Sequence, residues 1–291
     1  MKRGLIWAGV ILLVLISVAG IVIGPTAYRV FVGLKRYETV PPVLPPLDDR
    51  AILIFSKTNG FRDDAQIAAA NAALTAIARK QGWSAYVTEN GAVFNPVQLS
   101  QFKAVVWNSV SGDVLTLQQR AALTRYIEMG GGFVGIHGSG GDPHYAWRWY
   151  VENLIGAQFI GHTMGPQFQQ ATIHVEDRTH PATRELGPTW VRTEEWYSFA
   201  ASPRAKGYHI LATVDEASYH PVMKLLPFSA GRDVRMGADH PIVWTHCVEK
   251  GRVFYSALGH RAEAYREVAH LQMLRGAIAW AAGFEGLGCG R

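Results

Sequence analysis

Two histidines in glycine-rich turns are the residues of this chain best suited to proton transfer. His137 lies in GIHGS (residues 135–139), where an apolar stretch stops at histidine and glycine follows at once. A sharp turn of this kind after a strand presents the side chain at its tip to a ligand, as the nucleophile elbow does for serine or cysteine. His260 lies in ALGHRAE (residues 257–263) at a predicted helix start, where a neutral imidazole is favoured. We therefore expect His137 and His260 to be a catalytic acid/base pair.

A carboxylate among aromatic residues points to a carbohydrate substrate. The run EEWY (residues 194–197) places Glu195 beside Trp196, and His162 lies in a second His- and Gly-containing segment. Aromatic rings cover the C–H faces of sugars while carboxylates bind hydroxyls, although aromatic residues equally fill protein cores. We expect Glu195 to assist catalysis, and Trp196 and His162 to contact the substrate.

Further polar residues follow the predicted strands or the elbow histidine. Lys57 and Arg62 come after the first strand, Asn108 ends the third, and Ser139 follows the elbow. These four residues are predicted to bind substrate because ligands of open α/β sheets lie outside the carboxyl ends of the strands. Glu263 is assigned the same role, although a residue three positions after a helix start fits a capping interaction equally well.

The sequence contains no recognisable metal motif. Its eleven histidines include no HExxH pattern and its two cysteines form no close pair, so we assign no metal ligand and expect no cofactor. Convergence of His137, His162 and His260 on a divalent ion such as zinc remains the alternative. Neither Cys247 nor Cys289 has a nearby activating pattern. A disulfide between them is compatible with a location outside the cytoplasm, but no sequence pattern supports it.

Hydrophobic periodicity predicts an alternating β/α organisation from residue 51. Short apolar runs at 51–55, 83–87, 103–107 and 133–136 indicate buried strands. Helices between them begin at capping residues, which are Asp63 or Asp64, Asn95 and Thr116. This order predicts a doubly wound, mainly parallel sheet with helices on both faces.

The second half of the chain is less regular. We predict strands at 171–175, 209–214, 241–246 and 252–258, and a final helix over 262–282. The segment 140–200 is rich in Trp, His and Gly, and we interpret it as an insertion or lid over the sheet.

The N-terminal region predicts a membrane anchor. Residues 5–24 are twenty consecutive uncharged residues, and as a helix they would span about 30 Å, the thickness of the hydrocarbon core. After a flank of residues 1–4 and this helix, residues 25–50 form a Pro-rich spacer and residues 51–291 the folded domain. A cleaved signal peptide is the rival interpretation, but its apolar region is usually about 7–15 residues long.

Positive charge lies on both sides of the predicted anchor. Lys2 and Arg3 precede it, and Arg29, Lys35 and Arg36 follow. Because the first flank is immediate and compact, we expect a cytoplasmic N-terminus and an extracytoplasmic domain.

Composition excludes several functional classes. The 291 residues are 48% hydrophobic and 18% charged, which is typical of a folded protein. Residues 1–50 hold six Lys+Arg against three Asp+Glu, so +3 of the formal net charge of +5 belongs to this segment. The remainder carries no basic cluster with interleaved aromatics, so nucleic acid is not an expected partner.

Seven segments together resemble the ThuA-like (trehalose utilisation) family. They occur in the family's order and the resemblance covers residues 51–283. The segments are FSKTNGFR (55–62), GGFVGIH (131–137), FIGH (159–162), HPAT (180–183), EEWY (194–197), DHPI (239–242) and RVFYSALGH (252–260).

The resemblance implies a class I glutamine amidotransferase-like fold, which is a flavodoxin-like sheet. It also implies a function in the processing of trehalose or its keto-derivatives, although many members of this family have no settled activity. Amidotransferases carry cysteine at the elbow, where this chain has His137, so hydrolysis of glutamine through a thioester is excluded. Three hypotheses remain: a carbohydrate-processing enzyme, a non-catalytic sugar- or glycan-binding module, and a metal-dependent hydrolase.

Overall fold

The computed structural model describes residues 17–18, 20–21, 24–143, 145–224 and 228–289. From residue 51 onward these form a nine-stranded sheet with packed helices and two small two-stranded sheets. In this part of the chain the α-helices are α1 (Asp64–Gln81), α2 (Pro96–Leu99), α3 (Leu117–Glu128) and α4 (Val268–Ala281), and residues 24–31 before it are also helical. The strands are β1 (Ile52–Phe55), β2 (Ala85–Thr88), β3 (Ala104–Asn108), β4 (Gly132–Ile136), β5 (Phe159–His162), β6 (Phe168–Val175), β7 (Thr189–Glu195), β8 (Tyr197–Phe199), β9 (His209–Val214), β10 (Val222–Met223), β11 (Arg232–Asp233), β12 (Pro241–Val248) and β13 (Gly251–Ser256).

The large sheet has the strand order β2-β1-β3-β4-β13-β12-β9-β6-β7. Its first five strands are parallel, and every later pairing, starting with β13 and β12, is antiparallel. The parallel half therefore follows the 2-1-3-4-5 order of flavodoxin-like sheets. The predicted α/β fold with a large, mostly parallel sheet is confirmed, and four antiparallel strands extend it on one side.

The parallel strands are buried on both faces. All side chains of β1 and β3 are buried, which explains why these strands are continuous apolar runs without polar alternation. Because parallel crossovers are right-handed, the reversal of direction after β2 places α1 on one face and α2 and α3 on the other. The C-terminal helix α4 packs beside α1.

Side-chain caps determine where these helices begin. Asp63 accepts the backbone N–H of Gln66 at the start of α1, so of the two aspartates considered it is Asp63 that caps. Thr116 and Gln119 form a reciprocal capping box at the start of α3. These local signals make the first half of the domain readable from sequence.

The interpretation of residues 140–200 as a lid is wrong. Strands β6 and β7 lie within this segment and form the edge of the nine-stranded sheet opposite β2. The burial of β6 alternates along most of its length because an antiparallel strand has one solvated face. Only its apolar second half was recognisable as a strand.

The predicted final helix is two separate pieces. Ala262–Arg266 is a short 3₁₀ helix, and α4 begins at Val268. Glu267 between them is extended, with φ −76° and ψ 124°, which no α-helix accommodates.

The predicted membrane anchor, residues 5–24, lies largely outside the described residues. Among the residues that the structure does describe, no helix combines the length and the apolar character needed to cross a membrane.

Part of the predicted Pro-rich spacer is hydrogen-bonded to the domain. We call residues 34–42 the strap. Its backbone forms hydrogen bonds with Asn59, Asn90, Gln98 and Gln119. The carboxylate of Glu38 accepts a hydrogen bond from the ammonium of Lys57. The strap contains neither helix nor strand, and its hydrogen bonds fasten it along the edge of the sheet at which β1 ends.

Candidate functional site

His137 occupies the tip of the turn that follows β4. Its φ is +46°, a left-handed conformation that only a few per cent of non-glycine residues adopt. The imidazole Nδ1 lies 2.9 Å from the carbonyl oxygen of Ala257. Since a carbonyl only accepts hydrogen bonds, Nδ1–H must donate, and in the neutral ring Nε2 presents a lone pair to the interior of the site.

His260 is held in the loop that follows β13. Gly259 before it has φ +110°, and the carboxylate of Glu194 accepts the backbone N–H groups of both Gly259 and His260. The ring Nδ1 of His260 lies 2.9 Å from Nε2 of His137 and 2.9 Å from Oε2 of Glu195. Burial alone would lower the pKa of His260, but the hydrogen bond and charge of Glu195 outweigh it and raise that pKa.

Glu195 reaches the same edge of the sheet from its antiparallel half. Four successive antiparallel pairings return β7 to the direction of β13, so the end of β7 meets the ends of the parallel strands. The other carboxylate oxygen, Oε1, accepts from Gln167 Nε2 at 2.5 Å and lies 3.1 Å from His162 Nδ1. Burial would raise the pKa of Glu195, but its contacts with the imidazoles of His137, His260 and His162 hold that pKa well below its usual range.

Tyr197 completes this group and was not among the predicted site residues. Its hydroxyl lies 2.9 Å from Nε2 of His137, and burial raises its pKa well above the usual value, so the phenol stays protonated. A signal was present in the sequence. Residues two apart in extended chain face the same side, so Tyr197 accompanies Glu195 while Trp196 points away.

The prediction that Trp196 contacts the substrate is wrong. Its side chain is buried, packs against Tyr219 and donates its indole N–H to the carbonyl of Gln169.

Asn108 and Ser139 are likewise framework residues and do not line a cleft. Both are completely buried. Asn108 bonds to Gln66 and Asn71 of α1, and Ser139 bridges the backbone of Trp107 and Val110. Their donors are used inside the fold and neither side chain reaches the surface, so they hold the framework and do not contact a sugar.

The remaining predicted residues lie away from the His–Glu group. Lys57 and Arg62 line a separate cavity of about 220 Å³ beneath the strap. Glu263 is exposed and lies 3.5 Å from Arg261. His162 alone among the predicted substrate contacts adjoins the group, through Glu195.

Two aromatic rings form the rim of the site. Phe61 and Phe168 are 46% and 37% exposed, and their centroids lie 6.4 and 5.1 Å from that of His260. Asp63, the cap of α1, approaches the outer nitrogen Nε2 of His260 to 3.6 Å. None of the three was predicted to line the site, because each reaches it from an element remote in sequence.

His137, Glu195 and His260, which we call the cluster, are also the described residues whose ligand atoms converge closely enough for a metal ion. All three side chains are buried. Both cysteines of the chain are joined in a disulfide between Cys247 and Cys289, so no thiol is available near His137.

The fold and the site define an α/β protein with a buried His–His–Glu cluster where strands of both halves of the sheet end. The family model for ThuA, trehalose utilisation, matches residues 51–281. The chain belongs to the ThuA family, as the seven sequence segments predicted.

Solved structures show the same fold. A ThuA-like protein from Bacteroides uniformis has a TM-score of 0.66 at 24% identity, covering 83% of this chain and 95% of that one. A ThuA-like protein from Parabacteroides merdae has a TM-score of 0.59 at 17% identity, covering 82% and 91%. No curated protein matches the sequence.

Proposed function

We propose that this protein is an enzyme that acts on a carbohydrate, a trehalose-like disaccharide or its keto-derivative, by proton transfer at the cluster. The observation that carries the proposal is the contact of His260 with both Glu195 and His137, each at 2.9 Å and shielded from bulk water. The family's description as trehalose utilisation supports the substrate class.

The three side chains have complementary proton-transfer properties. Glu195 remains ionised and favours the protonated form of His260, which can then donate a proton. His137 is oriented by Ala257 so that Nε2 accepts, and the hydroxyl of Tyr197 beside it is a donor. Such a pair contributes about 10²–10⁴-fold to a reaction that moves protons at sugar oxygens.

The rim matches the surface of a sugar. Phe61 and Phe168 are partly exposed next to His260, and aromatic rings of this kind pack on the C–H face of a pyranose. His162 and Asp63 lie next to Glu195 and His260 and could provide polar groups for hydroxyls.

We propose further that the enzyme is anchored by residues 5–24 with its domain outside the cytoplasm. The Cys247–Cys289 disulfide supports this location, because disulfides form and persist in oxidising compartments. Thiol labelling of protein denatured without reductant tests it: we expect no labelled cysteine. Two labelled cysteines in protein taken directly from cells would contradict this location.

The test of activity uses the full chain in detergent with a panel of disaccharides and their 3-keto forms. Mass spectrometry measures product, and a thermal shift measures binding. We expect product from the wild type and from His180→Ala, which removes a buried histidine outside the cluster. His137→Ala should lose about 10²–10⁴-fold in turnover while remaining folded.

Two outcomes would contradict the proposal. Full activity in His137→Ala would remove the cluster from the reaction. A sugar-induced thermal shift with no product from any member of the panel would instead identify an anchored binding module.

A further inference from the structure

We propose that the cluster binds a divalent transition-metal ion through Nε2 of His137, Nδ1 of His260 and Oε2 of Glu195. This inference deepens the proposed function and rests on it for the substrate, because it names a cofactor for the same site. Two imidazoles and one carboxylate are the protein ligands of many catalytic zinc sites, which keep a coordination position open for water or substrate.

The three atoms form a triangle of the size that a metal ion requires. The two nitrogens are 2.9 Å apart, and Oε2 of Glu195 lies 2.9 Å from His260 and 3.5 Å from His137. Metal–ligand bonds of 2.0–2.2 Å place neighbouring ligand atoms about 2.8–3.6 Å apart in octahedral or tetrahedral geometry. All three edges fall within that interval.

In each of the three side chains, the nitrogen or oxygen that is not part of the triangle contacts another protein group, as is usual for metal ligands. Nδ1 of His137 donates to the carbonyl of Ala257, which leaves Nε2, the atom in the triangle, with a lone pair for an ion. The outer nitrogen of His260 faces the carboxylate of Asp63, and the outer oxygen of Glu195 accepts from Gln167. Such second contacts orient ligands and fix the tautomer of histidines.

Hydrogen bonds leave the close approach of the two imidazoles unexplained. Nε2 of His137 carries no proton when Nδ1 donates to Ala257, and it accepts from the hydroxyl of Tyr197, while Nδ1–H of His260 donates to Glu195. The 2.9 Å contact between the two ring nitrogens therefore has no proton of its own. A cation at the centre would accept lone pairs from all three atoms and would neutralise a buried carboxylate.

The donor set indicates the class of ion. Two nitrogens and one oxygen suit Zn²⁺, Fe²⁺, Co²⁺ or Mn²⁺, whereas Mg²⁺ and Ca²⁺ prefer oxygen ligands throughout. The hydroxyl of Tyr197 is placed beside the triangle to donate to an oxygen bound there. An ion at this position would activate a water or polarise a sugar oxygen. Because it would occupy Nε2 of His137 and Nδ1 of His260, an oxygen bound to the ion would take over proton transfer from the two imidazoles.

The first experiment measures metal content. The full chain is purified with an affinity tag that contains no histidine, without chelator or added metal, and analysed by plasma mass spectrometry. We expect about one equivalent of a transition metal in the wild type and in His180→Ala. His260→Ala and Glu195→Gln should each lower affinity for added Zn²⁺ by at least about 100-fold. Loss of a residue that only hydrogen-bonds a metal ligand already lowers metal affinity by about 10–100-fold, and loss of the ligand itself should cost more.

A second measurement does not depend on the variants folding. Metal-depleted wild type is titrated with Co²⁺, and X-ray absorption of the Zn²⁺ form counts imidazole and carboxylate ligands. Two imidazoles and one carboxylate support the proposal. No bound metal after titration, or metal retained in both ligand variants, overturns it.

Activity separates this inference from the proposed function. If sugar turnover persists undiminished in metal-free protein, the proposal of a metal centre is overturned and the proposed function still stands. A bound ion with the expected ligands but no turnover of any sugar supports the centre and contradicts the proposed function.

Discussion

Arg192 and Glu194 form an ion pair sealed from solvent behind the cluster. Nη2 of Arg192 lies 2.8 Å from Oε2 of Glu194, and their side chains are 1% and 0% exposed. The same carboxylate receives the backbone N–H groups of Gly259 and His260. Glu194 is therefore a positioning residue, which places the His260 loop against β7.

Loss of the cation from this pair should be costly. We expect Arg192→Met to lower the free energy of unfolding by about 3–5 kcal/mol, because it leaves a buried carboxylate without its partner. Arg204→Met is the matched control: Arg204 pairs with Glu176 and Asp239 but is 46% exposed, and its loss should cost under about 1 kcal/mol. Urea unfolding measures both, and equal losses would contradict the buried role of Arg192.

Helix α4 approaches the segment before β7 too closely for a side chain at Gly276. A Cβ there would lie 1.9 Å from the carbonyl oxygen of Pro181. We expect Gly276→Ala to destabilise the protein by about 1–3 kcal/mol or more, since backbone must move to relieve the contact. Gly187→Ala, whose Cβ would lie 3.4 Å from the nearest atom, should be nearly neutral in the same thermal unfolding assay. A harmless Gly276→Ala would show that this packing is wrong.

His246 should make stability depend on pH. Nε2 donates to the carbonyl of Asn153, the ring stacks on Tyr208, and no described residue partners Nδ1. Burial lowers the pKa of His246 to about 4. As pH falls below about 6.5, this histidine therefore becomes protonated in the unfolded chain while it stays neutral in the folded protein.

Stability should therefore fall as pH decreases from about 6.5 towards 4. We expect this histidine to account for a loss of about 2 kcal/mol between pH 7 and pH 5, measured by urea unfolding. His246→Phe should reduce that loss, whatever its effect on stability at pH 7. An unchanged pH dependence in the variant would contradict the assignment.

The strap should contribute to the stability of the domain. Glu38 accepts from the ammonium of Lys57, whose side chain is 6% exposed, and from the backbone N–H of Gly91. These hydrogen bonds and the charge of Lys57 outweigh the effect of burial and lower the pKa of Glu38.

Glu38→Gln removes the charge that balances a buried ammonium. We expect a loss of about 1–3 kcal/mol in the free energy of unfolding of the full chain. Glu89→Gln, which affects a more exposed pair with Arg62, should cost under about 1 kcal/mol. Equal effects would show that the strap is not an energetic part of the fold.

Local signals made the first half of the domain predictable. The continuous apolar runs of β1 and β3, the caps Asp63 and Thr116 and the turn at His137 each act within a few residues, where propensity and hydrogen bonding to nearby backbone decide the conformation. Family membership was also predictable, and the family model matches residues 51–281, the range that contains all seven segments.

The composition of the site was decided by tertiary structure. His260 and Glu195 meet across a separation of 65 residues, because antiparallel strands turn β7 towards the parallel strand ends. The direction of each side chain followed from packing in the same way. Asn108 turned inward to bond α1, and Tyr197 faced the cluster while Trp196 entered the core. The sequence by itself determined which residues could do chemistry. Long-range strand pairing determined which of these residues converge. Such pairing depends on burial of the apolar side chains of all strands together, which no short segment specifies.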